Sequence, residues 1–248
     1  MDAGLVRIRE ARDHADLDAC VGLQREVWGL SDLEITSTVQ LVATVHAGGL
    51  LLLAESASGE LLGFSYAFAG LAGAEPYLHS DMLAVRREAR GGGVGRRLKW
   101  EQRSVALRRG LRLVQWTFDP LRARNARLNL HHLGAIAREY RRDLYGRTSS
   151  PLHLDLPTDR LLVRWELDSP RVVALASGRT AETWPPHLPR RTIEVPVDWE
   201  AVAADPERAR EEQARVRRAF EEAFAAELEA VDFEADGGRA SYVLRARS

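Results

Sequence analysis

The stretch Arg90-Gly91-Gly92-Gly93-Val94-Gly95-Arg96-Arg97 joins an apolar run, Tyr77 to Val85, to a helical pattern that ends near Gly110. Glycines let successive backbone N–H groups turn into one concavity, and a helix N-terminus adds partial positive charge, so this spacing suits a phosphate or pyrophosphate. A surface turn that needs glycine only for positive φ is the plain alternative. Two common nucleotide loops are excluded by the letters. No Lys-Ser or Lys-Thr follows the glycines, as a P-loop requires, and Arg96 stands where a dinucleotide fingerprint has its third glycine. In the run before the loop, a period of two places His79, Asp81, Leu83 and Val85 on one face and Ser80, Met82 and Ala84 on the other.

The elements that must position this loop are legible from periodicity and breakers. A short strand is expected at Leu5 to Arg9. Leu17, Cys20, Val21, Gln24, Val27 and Trp28 recur at helical spacing between an N-cap at Asp13 and a stop at Gly29. A second helix is expected over Thr38 to His46. Leu50 to Glu55 and Leu61 to Ala69, separated by Ser56-Ala57-Ser58-Gly59-Glu60, read as a hairpin, and a Gly- and Ala-rich loop with Pro76 leads into the Tyr77 strand. Beyond the glycine loop and its helix come a buried strand, Leu113 to Phe118, a helix from Asp119-Pro120 to near Gly134, and extended segments at Ala135 to Tyr140 and Leu161 to Leu167.

From about Ser169 the pattern loosens, with loops marked by Pro170, Pro185, Pro186, Pro189 and Pro196. One helix stands out. Asp205-Pro206 is an N-cap followed by Pro at the first helical position, and Val216, Phe220, Phe224 and Leu228 form a stripe. Strands are expected around it at Thr192 to Val197, Ala230 to Glu234 and Ala240 to Ala246.

Composition narrows the classes. With 248 residues, 45% hydrophobic and 29% charged, the chain is an ordinary globular protein that needs neither metal nor disulfides to bury its apolar surface. The balance of 35 basic and 36 acidic residues removes the electrostatic case for a nucleic-acid partner. Lys99 is the only lysine, from which no chemistry is read. Cys20 stands alone, so a disulfide and Cys-based zinc are excluded, and its surroundings suggest a buried small hydrophobe. No HExxH occurs, and His131 and His132 are adjacent rather than i and i+4, so no metal is expected. The start of the chain lacks a basic region followed by an apolar core, and the longest wholly apolar run, Leu50 to Ala54, is too short for a span. A cytoplasmic location with no membrane partner is the resulting expectation.

Met82-Leu83-Ala84-Val85 followed by Arg90-x-x-Gly93-x-Gly95 resembles motif A of the GNAT (Gcn5-related N-acetyltransferase) superfamily, and the element order over residues 5 to 167 is similar to the GNAT core. The later strand and long tail look like a subgroup of bacterial acetyltransferases with a C-terminal extension. The resemblance implies an α+β fold: a central, mostly antiparallel sheet flanked by helices. The domains would be a core at 1–168 and a β-α-β-β extension at 169–248, packed on the core or on a partner subunit.

It also implies acetyl-CoA or another acyl-CoA as co-substrate, with its pyrophosphate on Arg90, Gly91, Gly92, Gly93, Val94, Gly95 and Arg96. The pantetheine would pair with Leu83, Ala84 and Val85 like an added strand, and Asn125 matches a further family position. His79 and Asp81 lie where family members often place the base, with Glu26 and Glu34 as alternatives; solvated or structural roles remain open for each. The family's usual acid, a Tyr, is missing from Asn129-Leu130-His131-His132. His131, Tyr140 or Tyr145 is the expected substitute, unless the thiolate leaves unaided. The implied activity is acyl transfer to a primary amine of a small molecule. A non-catalytic acyl-CoA-binding module is the rival, and a homodimer is the family expectation.

Overall fold

A computed structural model describes residues 6–151, 155–179, 190–236 and 238–247. The expected strand residue Leu5 and the loop residues Pro185, Pro186 and Pro189 lie outside these ranges. The chain forms two compact units, Met1–Gln115 with Thr148–Leu152, and Trp116–Arg147 with His153–Ser248.

In the first unit, helices α1 (His14–Trp28) and α2 (Thr38–His46) follow strand β1 (Arg7–Glu10). Helix α1 has the caps that its sequence suggests, and α2 is capped as well. Asp13 accepts from the Asp16 N–H at 3.0 Å, Gly29 ends α1 at φ +61°, and Ser37 caps α2. Strands β2 (Leu50–Glu55), β3 (Leu61–Ala72) and β4 (Glu75–Val85) continue an antiparallel meander from β1. The start of β5 (Leu113–Phe118) lies parallel to β4, through Leu78–Val114 and His79–Gln115.

Leu17, Cys20, Leu23 and Leu41 of the two helices bury against Leu51, Leu53, Phe64, Tyr66 and Ala84 on one face of this sheet. Burial pushes the Cys20 thiol up to about 12, which fits an inert core residue. Helix α3 (Val94–Arg108) covers the other face, with Leu98 and Val105 fully buried.

The β3–β4 hairpin is longer than its sequence suggests. Gly70 to Ala72 pair with Tyr77 to Glu75, so much of the expected Gly- and Ala-rich loop is strand. Gly70 permits this: a Cβ there would meet Tyr77 Cζ at 2.5 Å, so only glycine lets that phenol lie against the backbone.

A β-bulge then breaks the expected alternation. Tyr66 pairs with Met82 but Ala67 pairs with Ser80, leaving Asp81 as the extra residue. An extra residue reverses the face of everything on one side of it. His79 consequently shares its face with Met82, Ala84 and Phe64, while Leu83 and Val85 share theirs with Ser80 and Ser65.

The second unit contains β6 (Ile136–Arg141), β7 (Arg160–Glu166), β8 (Arg191–Val195), β9 (Leu228–Asp236) and β10 (Arg239–Ala246), in the spatial order β7-β6-β9-β10-β8. Ala137 of β6 pairs with Ala230 of β9, so the C-terminal segment extends the sheet of β6 and β7 instead of forming a unit that begins at 169. The expected boundary near 168 is not where the compact units divide.

The expected helix before Gly134 is interrupted. A short α4 (Ala123–Ala126) runs into a π-helical turn over Arg127–His132, closed by Gly134 at φ +73°. Short helices α5 (Pro170–Ala176) and α6 (Trp199–Ala203), absent from the periodicity reading, precede the expected α7 (Pro206–Ala225). Val216 and Phe220 of α7 are fully buried. Each such side chain contributes about 1.5–3 kcal/mol through burial. Phe220 stacks on Tyr140 at 5.9 Å and meets Tyr242 edge-on at 4.9 Å. No described helix is long and apolar enough to cross a membrane.

Candidate functional site

The glycine loop is an open row of donors. A single 3-10 turn, Arg87–Ala89, follows β4, and Gly91 and Gly93 then adopt φ +88° and +80°. Gly93 caps α3 with no side chain to accept from the first helical turn. The first backbone bond of α3 runs from the Arg97 N–H to the Gly93 carbonyl at 3.0 Å. Among the described residues, the N–H groups of Gly91 to Arg96 have no protein acceptor. Such a row at a helix N-terminus is an anion cradle.

Arg90 Nε donates to the Val85 carbonyl at 3.0 Å, tying the loop to the strand end. Arg97 is engaged with the Val6 carbonyl at 2.5 Å. Arg96 is exposed beside the cradle. The Gly95 Cα faces the sheet: a Cβ there would meet Leu83 Cδ2 at 3.6 Å and Val85 Cγ2 at 3.7 Å.

Strand β4 leads into that cradle with one edge open. Its pairing with β5 ends at His79, and from Met82 to Val85 it pairs only with β3 among the described residues. An open strand edge beside an anion cradle accepts an extended, amide-bearing chain as an added strand. Leu83, Ala84, Val85 and the loop are therefore brought together as the sequence predicts, at backbone level.

His79 and Asp81 sit at the point where β4 leaves β5. The His79 ring lies 5.0 Å from Phe68 and 6.3 Å from Tyr77. Burial pulls its pKa below the ordinary histidine value, opposed by the Asp81 charge and assisted by Lys99. A neutral imidazole at pH 7 can accept a proton. Burial raises the Asp81 carboxyl, while His79 lowers it. The bulge corrects the expectation that His79 shares the face of Leu83 and Val85.

The sequence reading missed what lies on the reverse face. Lys99 is 2% exposed, and its Nζ donates to Ser80 Oγ at 2.8 Å and Gln102 Oε1 at 3.2 Å. Gln102 Nε2 in turn donates to Ser65 Oγ at 3.1 Å. Burial holds the Lys99 amine well below its usual range. The network fixes β4 from beneath at Ser80, between His79 and the bulge. A lone lysine among arginines was the available signal.

The alternative carboxylates are occupied. Glu26 pairs with Arg86 at 3.3 Å. Glu34 accepts from the Ser149 N–H at 2.8 and 2.9 Å, within the first unit.

In the second unit, the expected acids have structural partners. Tyr140 donates to Asp159 at 2.7 Å, and Arg217 donates to the same buried carboxylate at 2.7 Å. Burial, followed by Asp159, raises the Tyr140 pKa. This arrangement makes Tyr140 a poor proton donor. Tyr145 is half exposed, with its hydroxyl 2.7 Å from Thr117 Oγ1 and its ring under Arg160 at 5.2 Å. His131 lies within the π-helical turn, its Nδ1 3.0 Å from Asp232 Oδ1. Asn125 is exposed on α4. Among the described residues, no group of His, Cys, Asp and Glu could hold a metal ion.

No protein-family model matches the chain, and no curated protein matches it. Solved structures do. One from Desulfovibrio desulfuricans, assigned to the GNAT family as an acetyltransferase, superposes with TM-score 0.52 and 17% identity, covering 66% of this chain and 99% of its own. The ribosomal-protein-S18-alanine N-acetyltransferase of Escherichia coli gives TM-score 0.51 at 14% identity, covering 75% and 99%. A protein from Salmonella typhimurium assigned as an acetyltransferase, solved with its cofactor acetyl-CoA, gives TM-score 0.51 at 20% identity, covering 66% and 95%. With a bulged β4, a glycine turn into α3 and these structural neighbours, the chain has the fold of the GNAT acetyltransferases.

Proposed function

We propose that the chain is an acyl-CoA-dependent N-acyltransferase, carrying an acetyl or longer acyl group such as succinyl to the primary amine of a small molecule. The observation that carries this reading is the donor row from Gly91 to Arg96, continuous with the open β4 edge at Met82 to Val85. The row suits the pyrophosphate of CoA, with Arg96 beside it. The open edge suits the amides of the pantetheine arm. The structural neighbour solved with acetyl-CoA supports the same assignment.

Acyl-CoA supplies an activated thioester; the chain's groups do the rest. A backbone N–H near Leu83 would donate to the thioester carbonyl and stabilise the negative charge that grows there on attack. The acceptor amine must be neutral to attack. His79, kept neutral by burial, is the preferred base, acting directly or through one water, with the Asp81 charge stabilising the imidazolium that results. With Tyr140 held by Asp159, the thiolate leaves without a dedicated tyrosine acid; its low basicity permits this.

That missing acid also favours one rival, an acyl-CoA-binding module without turnover. Calorimetric titration with acetyl-CoA, followed by thiol release across an amine panel, decides. Binding plus thiol release with any primary amine supports the enzyme, binding alone supports the module, and no binding by folded protein removes both.

A further inference from the structure

We propose that Phe68, Tyr77 and His79, with the Asp81 carboxylate at their edge, form an acceptor subsite for a primary ammonium carried on an aromatic ring and bearing no carboxylate. The inference rests on the acyltransfer reading and adds the class of acceptor to it.

The pairing register places these rings on one face of the hairpin, Phe68 opposite His79 and Tyr77 opposite Gly70. The apolar core beneath α1 and α2 covers that face as far as Tyr66 and Met82 and includes none of the three. Phe68 is 36% exposed, unusual for a phenylalanine on a sheet face. The Tyr77 phenol lies against the Gly70 backbone, where a side chain would collide. Phe68 and His79 are inclined by only 33° at 5.0 Å, and Tyr77 meets His79 edge-on. The result is a cluster of three rings at the end of β4 where the bulge lies, Phe68 turned toward His79 and Tyr77 edge-on to it.

A partly exposed aromatic cluster gains from contact with a further aromatic ring, edge-on or offset, and aromatic faces attract an ammonium. Asp81 supplies the opposite charge. As the bulge residue it is the extra member of β4, and its field reaches both His79 and Tyr66. Among the described residues no basic side chain forms an ion pair with Asp81, so its charge is available to a ligand cation. A ligand carboxylate at the same place would be repelled. This disfavours free amino acids as acceptors and favours arylalkylamines.

Phenethylamine, propylamine and phenylalanine are titrated into the full chain without acyl-CoA. Ring stacking and the ammonium contact predict that phenethylamine binds at least about tenfold more tightly than either of the others. Phe68→Ala and Phe68→Leu, at a position already exposed to solvent, reduce phenethylamine to the level of propylamine. Asp81→Asn narrows the gap between phenethylamine and phenylalanine. Equal affinities, or a ring preference that survives in either folded Phe68 variant, overturn the proposal. A separate acetyl-CoA titration keeps the two readings apart. Turnover of propylamine with no ring preference overturns the subsite and leaves acyltransfer standing, whereas ring-selective binding without acetyl-CoA binding supports the subsite and removes acyltransfer.

Discussion

Gly92→Glu offers the sharpest test of the anion cradle, because the neighbouring glycines would confound it. Gly93 sits at φ +80° with open space around its missing Cβ, so any side chain there meets backbone strain and not collision. A left-handed residue other than glycine costs about 1–2 kcal/mol. Gly92 is not at positive φ, and a Cβ there would meet only the Ala89 carbonyl, at an ordinary 3.5 Å. Gly92→Glu therefore places a carboxylate at the cradle without the strain.

Two unit charges about 4–5 Å apart at an effective dielectric of about 20 repel by about 3–4 kcal/mol. At 1.4 kcal/mol per tenfold, acetyl-CoA binds the variant at least about a hundredfold more weakly. Its unfolding free energy should stay within about 0.5 kcal/mol of the wild type, as for an exposed substitution. Gly93→Ala gives the converse, a loss of about 1–2 kcal/mol in stability with no added charge. Calorimetry beside denaturant titration reads both quantities. A folded Gly92→Glu protein that binds acetyl-CoA as tightly as the wild type refutes the cradle.

Other consequences follow from the same contacts. Tyr140→Phe removes a donor from buried Asp159 and should cost about 1.5–3 kcal/mol of stability while leaving turnover unchanged; a large fall in kcat with intact stability would restore Tyr140 as an acid. Because burial lowers the His79 pKa, the unfolded chain binds more protons than the folded chain between the folded value and about 6.5, so this residue makes stability rise with pH through that window. The sign for Asp81 is opposite: its raised pKa makes stability fall as pH rises above about 3.9. His79→Gln should flatten the first slope in denaturant titrations at several pH values. Truncation after Arg171 removes β9, the partner of β6, and Arg217, the partner of Asp159, and should yield insoluble protein; a soluble fragment with native circular dichroism would show that the second unit does not need its C-terminal strands.

Local signals carried much of this structure. Asp13, Gly29 and Asp205 mark helix ends in one dimension, and the glycine loop announces itself by composition between a strand and a helix. Pairing register is not local. Nothing within Tyr77 to Val85 says that Ser80 and Met82 will oppose adjacent residues of β3, so alternation assigned His79 to the wrong face. The interruption of the helix at Arg127–His132 also escaped, since a π-helical turn leaves little trace in apolar spacing. Tyr140 shows a third kind of non-local information. As a letter it offers an acid; only the arrival of Asp159 and Arg217 from distant segments makes it a structural donor.

If the proposed acyltransfer holds, Lys99 bears on the chain's own exposure to its acyl donor. Every other basic residue among the 35 is arginine, and this single lysine is 2% exposed. A guanidinium keeps its proton at any ordinary pH and does not attack thioesters. An exposed lysine amine would be a competing acceptor, present at the stoichiometry of the protein itself. With its only lysine sealed between α3 and β4, the folded surface offers a bound acyl group no lysine amine of its own to react with.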